Sequence, residues 1–143
     1  MGDPMFARTR LIGVFFVIGL SLAACKTTQE AVSVADPSPW VGEYRGNFWM
    51  SAAFGGISKN STFSLVLDGQ KRLTGSIALE DGSTSPVNIT SITGTNIKFT
   101  TDLTLVSNRN AYDFDLYRDN GVLKGNVSSF GIRASGEARF VKR

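Results

Sequence analysis

The stretch from Ala111 to Val127, AYDFDLYRDNGVLKGNV, decides the fold that this sequence predicts. Its first half carries apolar residues at every second position, which are Tyr112, Phe114 and Leu116. A period of two is typical of a β-strand with one buried and one solvated face. Asn120 and Gly121 follow, and this dipeptide supplies the positive φ angles that a tight hairpin needs. The stretch therefore predicts two antiparallel strands joined by a short turn.

The same pattern continues through most of the chain from residue 40 to residue 143. Turn dipeptides such as Asp68-Gly69 and Asp81-Gly82 separate alternating segments, and no long window has the pattern of an amphipathic helix. We expect eight strands, at 42–50, 61–68, 71–80, 85–92, 96–106, 111–118, 121–128 and 131–141. Strands joined mostly by short hairpins predict an all-β domain, an eight-stranded antiparallel up-and-down β-barrel, because closure removes exposed sheet edges. A two-sheet β-sandwich is the alternative.

The first 24 residues have the composition of a secretory signal peptide. Leu11 to Ala24 contains no charged residue and follows two arginines. As a helix this run would be about 21 Å long, shorter than the hydrocarbon core of about 30 Å. We therefore predict a leader that is removed rather than a membrane span. Its true start is Met1 or Met5, since Asp3 is unusual in a region expected to be positive.

The last residues of this leader, Leu22-Ala23-Ala24, precede the only cysteine of the chain, Cys25. The four residues resemble the lipobox of bacterial membrane lipoproteins, in which Leu, a small residue and Ala or Gly precede Cys. The resemblance implies that the Cys25 thiol carries a diacylglyceryl group and that cleavage makes Cys25 the acylated N-terminus. Several acyl chains anchor a protein durably to a membrane. In that family an Asp after the cysteine retains the protein at the inner membrane, so Lys26 implies an outer-membrane lipoprotein that faces the periplasm.

The predicted division of the chain is a signal peptide at 1–24, a lipidated N-terminus and flexible linker at 25–39, and a β-barrel domain at 40–143. The barrel domain begins with Trp40-Val41-Gly42 and carries Arg139 in its last strand. In this it resembles the small calycin-like barrels, the lipocalins and avidins among them. In lipocalins a Gly-x-Trp motif opens the first strand and a late Arg packs over that Trp. The order here is Trp-x-Gly, and the resemblance implies that Arg139 packs against Trp40. Biotin binding is not expected, because avidins use several tryptophans and this domain has only Trp40 and Trp49.

The composition excludes several kinds of catalytic site. The chain has no histidine and its one cysteine is predicted to carry lipid, which rules out Ser-His-Asp and Cys-His machinery and the commonest zinc ligand. Asp113 and Asp115 lie on the polar face of a predicted strand, where we expect solvated carboxylates rather than a cation site or an acid–base pair. We therefore predict a protein that is not an enzyme and that has no metal and no cofactor.

The charge of the mature chain argues against nucleic acid as a partner. Removal of Arg8, Arg10 and Asp3 with the leader reduces 15 basic and 12 acidic residues to 13 and 11. The basic residues cluster only at the C-terminus and do not form a stripe with interleaved aromatic residues, which nucleic-acid-binding proteins usually show.

One stretch concentrates apolar side chains outside the regular alternation. It runs from Asn47 to Ser61, NFWMSAAFGGISKNS, and we expect it to contain the longest connection of the barrel, between the first two strands. Its candidate binding residues are Trp49, Met50, Phe54 and Ile57. These side chains either fill the end of the barrel as core or form a lid or docking surface, because an exposed apolar cluster often marks an interaction site.

Two functions are consistent with the sequence. The first is an outer-membrane-anchored periplasmic lipoprotein whose barrel binds a small apolar ligand or a protein partner without catalysis. The alternative is a structural or inhibitory cell-envelope protein with a filled barrel that acts through its loops. A hollow interior favours the first function, and a packed interior with Trp49 or Phe54 exposed favours the second.

Overall fold

The computed structural model describes residues 36–143, and the predicted signal peptide, Cys25 and the linker as far as residue 35 lie outside the described residues. The described chain is all-β, as predicted. A short 3₁₀ turn, Ser38–Trp40, precedes the first strand. The eight strands are Gly42–Ala52 (β1), Gly55–Leu67 (β2), Leu73–Leu79 (β3), Thr84–Ile92 (β4), Asn96–Thr104 (β5), Arg109–Asp119 (β6), Val122–Ser129 (β7) and Ala134–Lys142 (β8).

Consecutive strands pair with one another around the whole molecule, and β8 closes the barrel against β1. The closing pair is antiparallel and runs from Tyr44 opposite Lys142 to Ser51 opposite Ser135. Each strand therefore has a neighbour on both sides, and the sheet ends on no exposed edge strand. The structure confirms the eight-stranded up-and-down barrel and excludes the two-sheet sandwich.

The up-and-down path gives the barrel two different ends. The distal end consists of the connections after β1, β3, β5 and β7, which are residues 53–54, 80–83, 105–108 and 130–133. The proximal end consists of the other three connections together with Ser38–Trp40 and the C-terminal Arg143. Arg143 donates its backbone N–H to the Glu43 carbonyl at 2.9 Å. Both ends of the described chain therefore lie at the proximal end.

Stacked aromatic rings fill the middle of the barrel. Phe99 lies between Phe63 and Phe114, with ring centroids 4.6 and 4.7 Å away and interplanar angles of 18° and 9°. Phe48 meets Phe114 edge-on at 5.6 Å. All four rings are buried, and aliphatic side chains surround them, among them Leu65, Ile77, Ile97, Leu116 and Leu123. The alternation in the sequence is thus an alternation between this core and solvent.

Two glycines allow β1 and β8 to approach closely where the barrel closes. A Cβ on Gly136 would overlap the carbonyl oxygen of Trp49, and a Cβ on Gly46 would overlap that of Arg139. Glycine inside a strand permits this close backbone approach and the tight bend that a small barrel requires. The closing strand pair therefore depends on residues that have no side chain.

Trp40 covers the core at the proximal end. Its side chain is buried, and its carbonyl accepts a hydrogen bond from the Tyr44 hydroxyl at 2.9 Å. The guanidinium carbon of Arg118 lies 5.0 Å from the centroid of the Trp40 ring. The expectation that Arg139 packs against Trp40 is therefore wrong. Arg139 lies between two buried residues of β8 and points outward, whereas Arg118 continues the inward positions of β6 at the rim.

Candidate functional site

The stretch from Asn47 to Ser61 forms a tight hairpin, and the long connection predicted there is wrong. Only two residues, Ala53 and Phe54, separate β1 from β2. Three consecutive apolar residues, Phe48-Trp49-Met50, interrupt the alternation of the sequence here, so periodicity alone does not show that both strands continue through this stretch. The other predicted strand boundaries lie within three residues of the observed ones.

The hairpin divides the four candidate residues between the inside and the outside of the barrel. Met50 and Ile57 face each other across the two strands, and both are buried. Trp49 is 50% exposed on the outer face, and Phe54 is 57% exposed at the turn. The four side chains therefore do not form one cluster, because one pair belongs to the core and the other pair to the surface.

Three neighbouring connections of the distal end each expose an apolar side chain. They are Phe54 after β1, Val106 after β5 and Phe130 after β7, and Phe130 is 93% exposed. Because β7 pairs with β6 and β8 pairs with β1, these three connections are adjacent around the rim. The sequence signal for Val106 and Phe130 is an apolar residue inside a turn, which a search for strand alternation does not detect.

A groove of about 620 Å³, here called the outer groove, crosses the outer face of the barrel from β6 over β7 and β8 to β1. Trp49 and Tyr117 are its exposed aromatic residues. Gly125 and Ala138, which are partners between β7 and β8, form part of its floor. Its polar lining includes Asn47, Asp115, Lys124, Asn126, Glu137 and Arg139. Of the four predicted candidates, the outer groove includes only Trp49.

Ion pairs hold two of the charged side chains of the outer groove in place. The Asp115 carboxylate pairs with the Lys98 ammonium at 2.9 Å. Lys124 donates a hydrogen bond to the Asp119 carboxylate at 2.8 Å, and its ammonium nitrogen lies 5.4 Å from the centroid of the Tyr117 ring. The hydrogen bond and the negative charge of Asp119 raise the pKa of Lys124. This lysine is therefore a fixed positive charge beside the aromatic ring.

The two strand aspartates lie on the outer face, where Asp113 is exposed and Asp115 is held by Lys98. Within residues 36–143, no three acidic or cysteine side chains come together in a group that could hold a metal ion. The part of the chain that the structure describes also contains no helix of the length and hydropathy that a membrane span requires.

No family model, curated protein or solved structure matches this chain. The distal end and the outer groove are the two features of the described surface that bear on its function.

Proposed function

We propose that this protein is a non-catalytic lipoprotein of the bacterial cell envelope, anchored in the outer membrane through Cys25, that binds a protein partner in the periplasm with its distal end. The observation that carries the proposal is a packed barrel interior combined with apolar side chains exposed at the distal end. The anchor is supported by the lipobox, because Cys25 directly follows an apolar leader and Leu22-Ala23-Ala24.

The packed interior favours binding at the surface over enclosure of a small apolar ligand. An eight-stranded barrel is just wide enough to hold its own side chains or one small ligand. Phe63, Phe99 and Phe114 occupy the middle of that space as a continuous stack. A ligand in the same place would displace at least one of these rings, and moving a buried side chain of this kind into water costs about 1.5–3 kcal/mol.

The position of the N-terminal residues supports a distal end that faces away from the bilayer. The lead-in to β1 is held at the proximal end, where the Pro39 carbonyl accepts hydrogen bonds from Arg118 at 3.1 Å and from Lys142 at 3.4 Å. The predicted linker, residues 25–39, enters the barrel at this end, so lipid on Cys25 would tether the barrel by its proximal end. The distal end would then be the part of the barrel most accessible from the periplasm.

The side chains at the distal end have the character of a partner-binding surface. Phe130 is 93% exposed, although burial of such a side chain is worth about 1.5–3 kcal/mol. Phe54 and Val106 extend the apolar area on the neighbouring connections. Exposed apolar patches mark interaction sites, and aromatic residues are enriched at the centres of protein interfaces. A protein partner with an apolar pocket would bury these side chains and gain the free energy that their exposure to water costs in the free protein.

The anchor is tested by intact mass spectrometry of the protein purified from the membranes of its host. The expected mass is that of a chain that begins at an acylated Cys25. The Cys25→Ala variant is expected to lose the lipid mass and to leave the outer-membrane fraction. An unmodified thiol, or a leader still attached, would contradict the anchor.

The partner site is tested by placing a photo-crosslinking amino acid at position 130 of the full-length protein in its host. We expect one discrete adduct, whose partner is identified by mass spectrometry and then binds the purified protein. Phe130→Asp should weaken that binding at least about tenfold. The matched control is position 66 in β2, whose Val66 side chain is 54% exposed and lies toward the proximal end. The same adducts from positions 66 and 130, or affinity unchanged by Phe130→Asp, would refute the distal site.

A further inference from the structure

We propose that the outer groove binds a neutral oligosaccharide, with Trp49 as the surface against which a sugar ring stacks. The groove lies on the side of the barrel, so this site goes beyond the partner binding assigned to the distal end. Three features of the groove carry the proposal: an aromatic side chain at each end, planar polar groups between them, and balanced charge.

The two aromatic side chains mark the length of the outer groove. Trp49 lies on β1 and is half exposed, and Tyr117 lies on β6 with a similar exposure. The strands β7 and β8 lie between them, so the two residues are three strand spacings apart around the wall, about 14 Å, and Tyr117 lies two residues beyond Asp115, the position in register with Trp49. A groove of this length suits a short chain of sugars rather than one monosaccharide.

Small residues form part of the floor of the outer groove. Gly125 and Ala138 occupy inward positions and are partners in register. They place no more than a hydrogen and a methyl group inside the barrel at this point. A Cβ on Gly125 would overlap the backbone oxygen of Asp115 on the neighbouring strand, which shows how closely β6 and β7 approach there. The backbone of these two residues, rather than a side chain, therefore faces the outer groove.

The indole of Trp49 lines the outer groove and also touches the strand on the other side of β1. A Cβ on Gly56 of β2 would lie only 3.3 Å from the indole Nε1, so one edge of the ring packs close to the backbone of β2. Half of the side chain remains exposed to solvent. The C–H face of a sugar ring is apolar, and its burial against an exposed aromatic ring is favourable.

Planar hydrogen-bonding groups line the groove between the aromatic residues. Asn47 and Arg139 are partners across β1 and β8, and Asn126 and Glu137 are partners across β7 and β8. All four are exposed, and within residues 36–143 none of their side chains forms a hydrogen bond or an ion pair. Amide, guanidinium and carboxylate groups together offer both donors and acceptors. Sugar hydroxyl and acetamido groups require both.

The charges of the outer groove favour a neutral ligand. Asp115 and Glu137 are balanced by Lys124 and Arg139, so the lining has no net charge to attract a polyanion or a polycation. A peptide is disfavoured for a different reason. The four strands beneath the groove are paired on both sides, so no free strand edge is present there to hydrogen-bond a peptide backbone.

The test titrates the full-length protein with a β-1,4-linked N-acetylglucosamine tetramer and, separately, with maltotetraose, which is α-linked and has no acetamido groups. Trp40 is 1% exposed, so acrylamide quenching of tryptophan fluorescence reports mainly on Trp49. A bound oligosaccharide is expected to protect Trp49 from quenching and to give a calorimetric Kd of about 0.1–1 mM. Binding of either oligosaccharide with protection of Trp49 supports the site, and the preference between them identifies the linkage.

Variants distinguish binding in the outer groove from binding elsewhere. Trp49→Ala should weaken the calorimetric affinity for the oligosaccharide at least about tenfold. Trp49→Phe keeps an aromatic ring, so its Kd should stay close to that of the parent protein. Val66→Ala on β2 is the matched control, since it removes exposed apolar atoms outside the groove, and the Kd for the oligosaccharide should be unchanged. The proposal is overturned if neither oligosaccharide binds at about 5 mM, or if Trp49→Ala binds as tightly as the parent protein. Because the distal site is measured by crosslinking at position 130, the failure of one site leaves the result for the other intact.

Discussion

Arg118 of β6 lies over the indole of Trp40, and the two side chains together close the proximal end of the barrel. The guanidinium carbon is 5.0 Å from the ring centroid, and the Nη1 group donates a hydrogen bond to the Pro39 carbonyl at 3.1 Å. A cation over an aromatic ring is worth about 0.5–1 kcal/mol at exposed sites and more where water is excluded. This contact joins the segment that leads into β1 to β6, the sixth of the eight strands.

Arg118→Ala is expected to lower the free energy of unfolding by about 1–2 kcal/mol, because it removes the ring contact and the hydrogen bonds to the Pro39 and Gly94 carbonyls. The free energy of unfolding of Arg118→Lys should lie between those of Arg118→Ala and the parent protein, because lysine keeps the positive charge but lacks the planar guanidinium group. Urea unfolding followed by tryptophan fluorescence measures both. The control is Arg139→Ala, which should change stability by no more than about 0.5 kcal/mol. An equal loss in Arg118→Ala and Arg139→Ala would contradict the importance of the Arg118–Trp40 contact.

Phe99→Ala is expected to destabilise the barrel by about 3–5 kcal/mol, because the ring is buried and stacks on Phe63 and Phe114. Phe130→Ala removes the same side chain from a position that is 93% exposed and should change stability by less than about 0.5 kcal/mol. Both values come from chemical denaturation of the full chain. A small effect of Phe99→Ala would mean that the interior is not filled as described, and would reopen the case for an enclosed ligand.

Gly136→Ala should destabilise the protein by about 3 kcal/mol, since the new methyl group meets the backbone of β1 and the strand pair must move apart. Gly69→Ala is the control, because nothing lies within 4 Å of a Cβ at that turn position. Thermal unfolding monitored by circular dichroism compares the two. If both variants have the same Tm as the parent protein, the close approach of β1 and β8 does not depend on glycine.

Asp68 makes the turn between β2 and β3 sensitive to acid. Its carboxylate accepts backbone hydrogen bonds from Arg72 and Gln70 and pairs with the Arg72 guanidinium, and these contacts lower the pKa of Asp68 below its ordinary 3.8. Because the folded pKa is the lower one, the stabilisation is present above pH 3.8 and is lost as the pH falls through the folded value. Asp68→Asn should therefore lower the Tm at pH 7, and the difference from the parent protein should shrink in acid. A difference that stays constant with pH would rule out this linkage.

The strands were predictable wherever the sequence alternates cleanly. Tyr112, Phe114 and Leu116 are buried in β6, and Asn120-Gly121 forms the turn before β7 with positive φ angles at both residues. The prediction was wrong at Asn47 to Ser61, because adjacent apolar residues in a strand resemble a loop when only periodicity is considered. One of those residues faces the core and the next faces solvent, and this difference depends on the partner strand.

The outer groove could not be predicted, since its members are far apart in the chain. Asn47 and Trp49 come from β1, whereas Tyr117, Lys124 and Arg139 come from β6, β7 and β8. They meet only because β8 pairs with β1. The same is true of the distal end, where Phe54 becomes a neighbour of Phe130 through barrel closure.

The sequence by itself determined the class of fold, the number of strands and which side of most strands is buried, because those properties depend on a period of two and on local turn chemistry. Only the tertiary structure decided that the interior is filled, that Arg118 rather than Arg139 covers Trp40, and which exposed residues share a surface. The physical reason is that closure of the barrel sets the register between distant strands, and register determines which side chains meet.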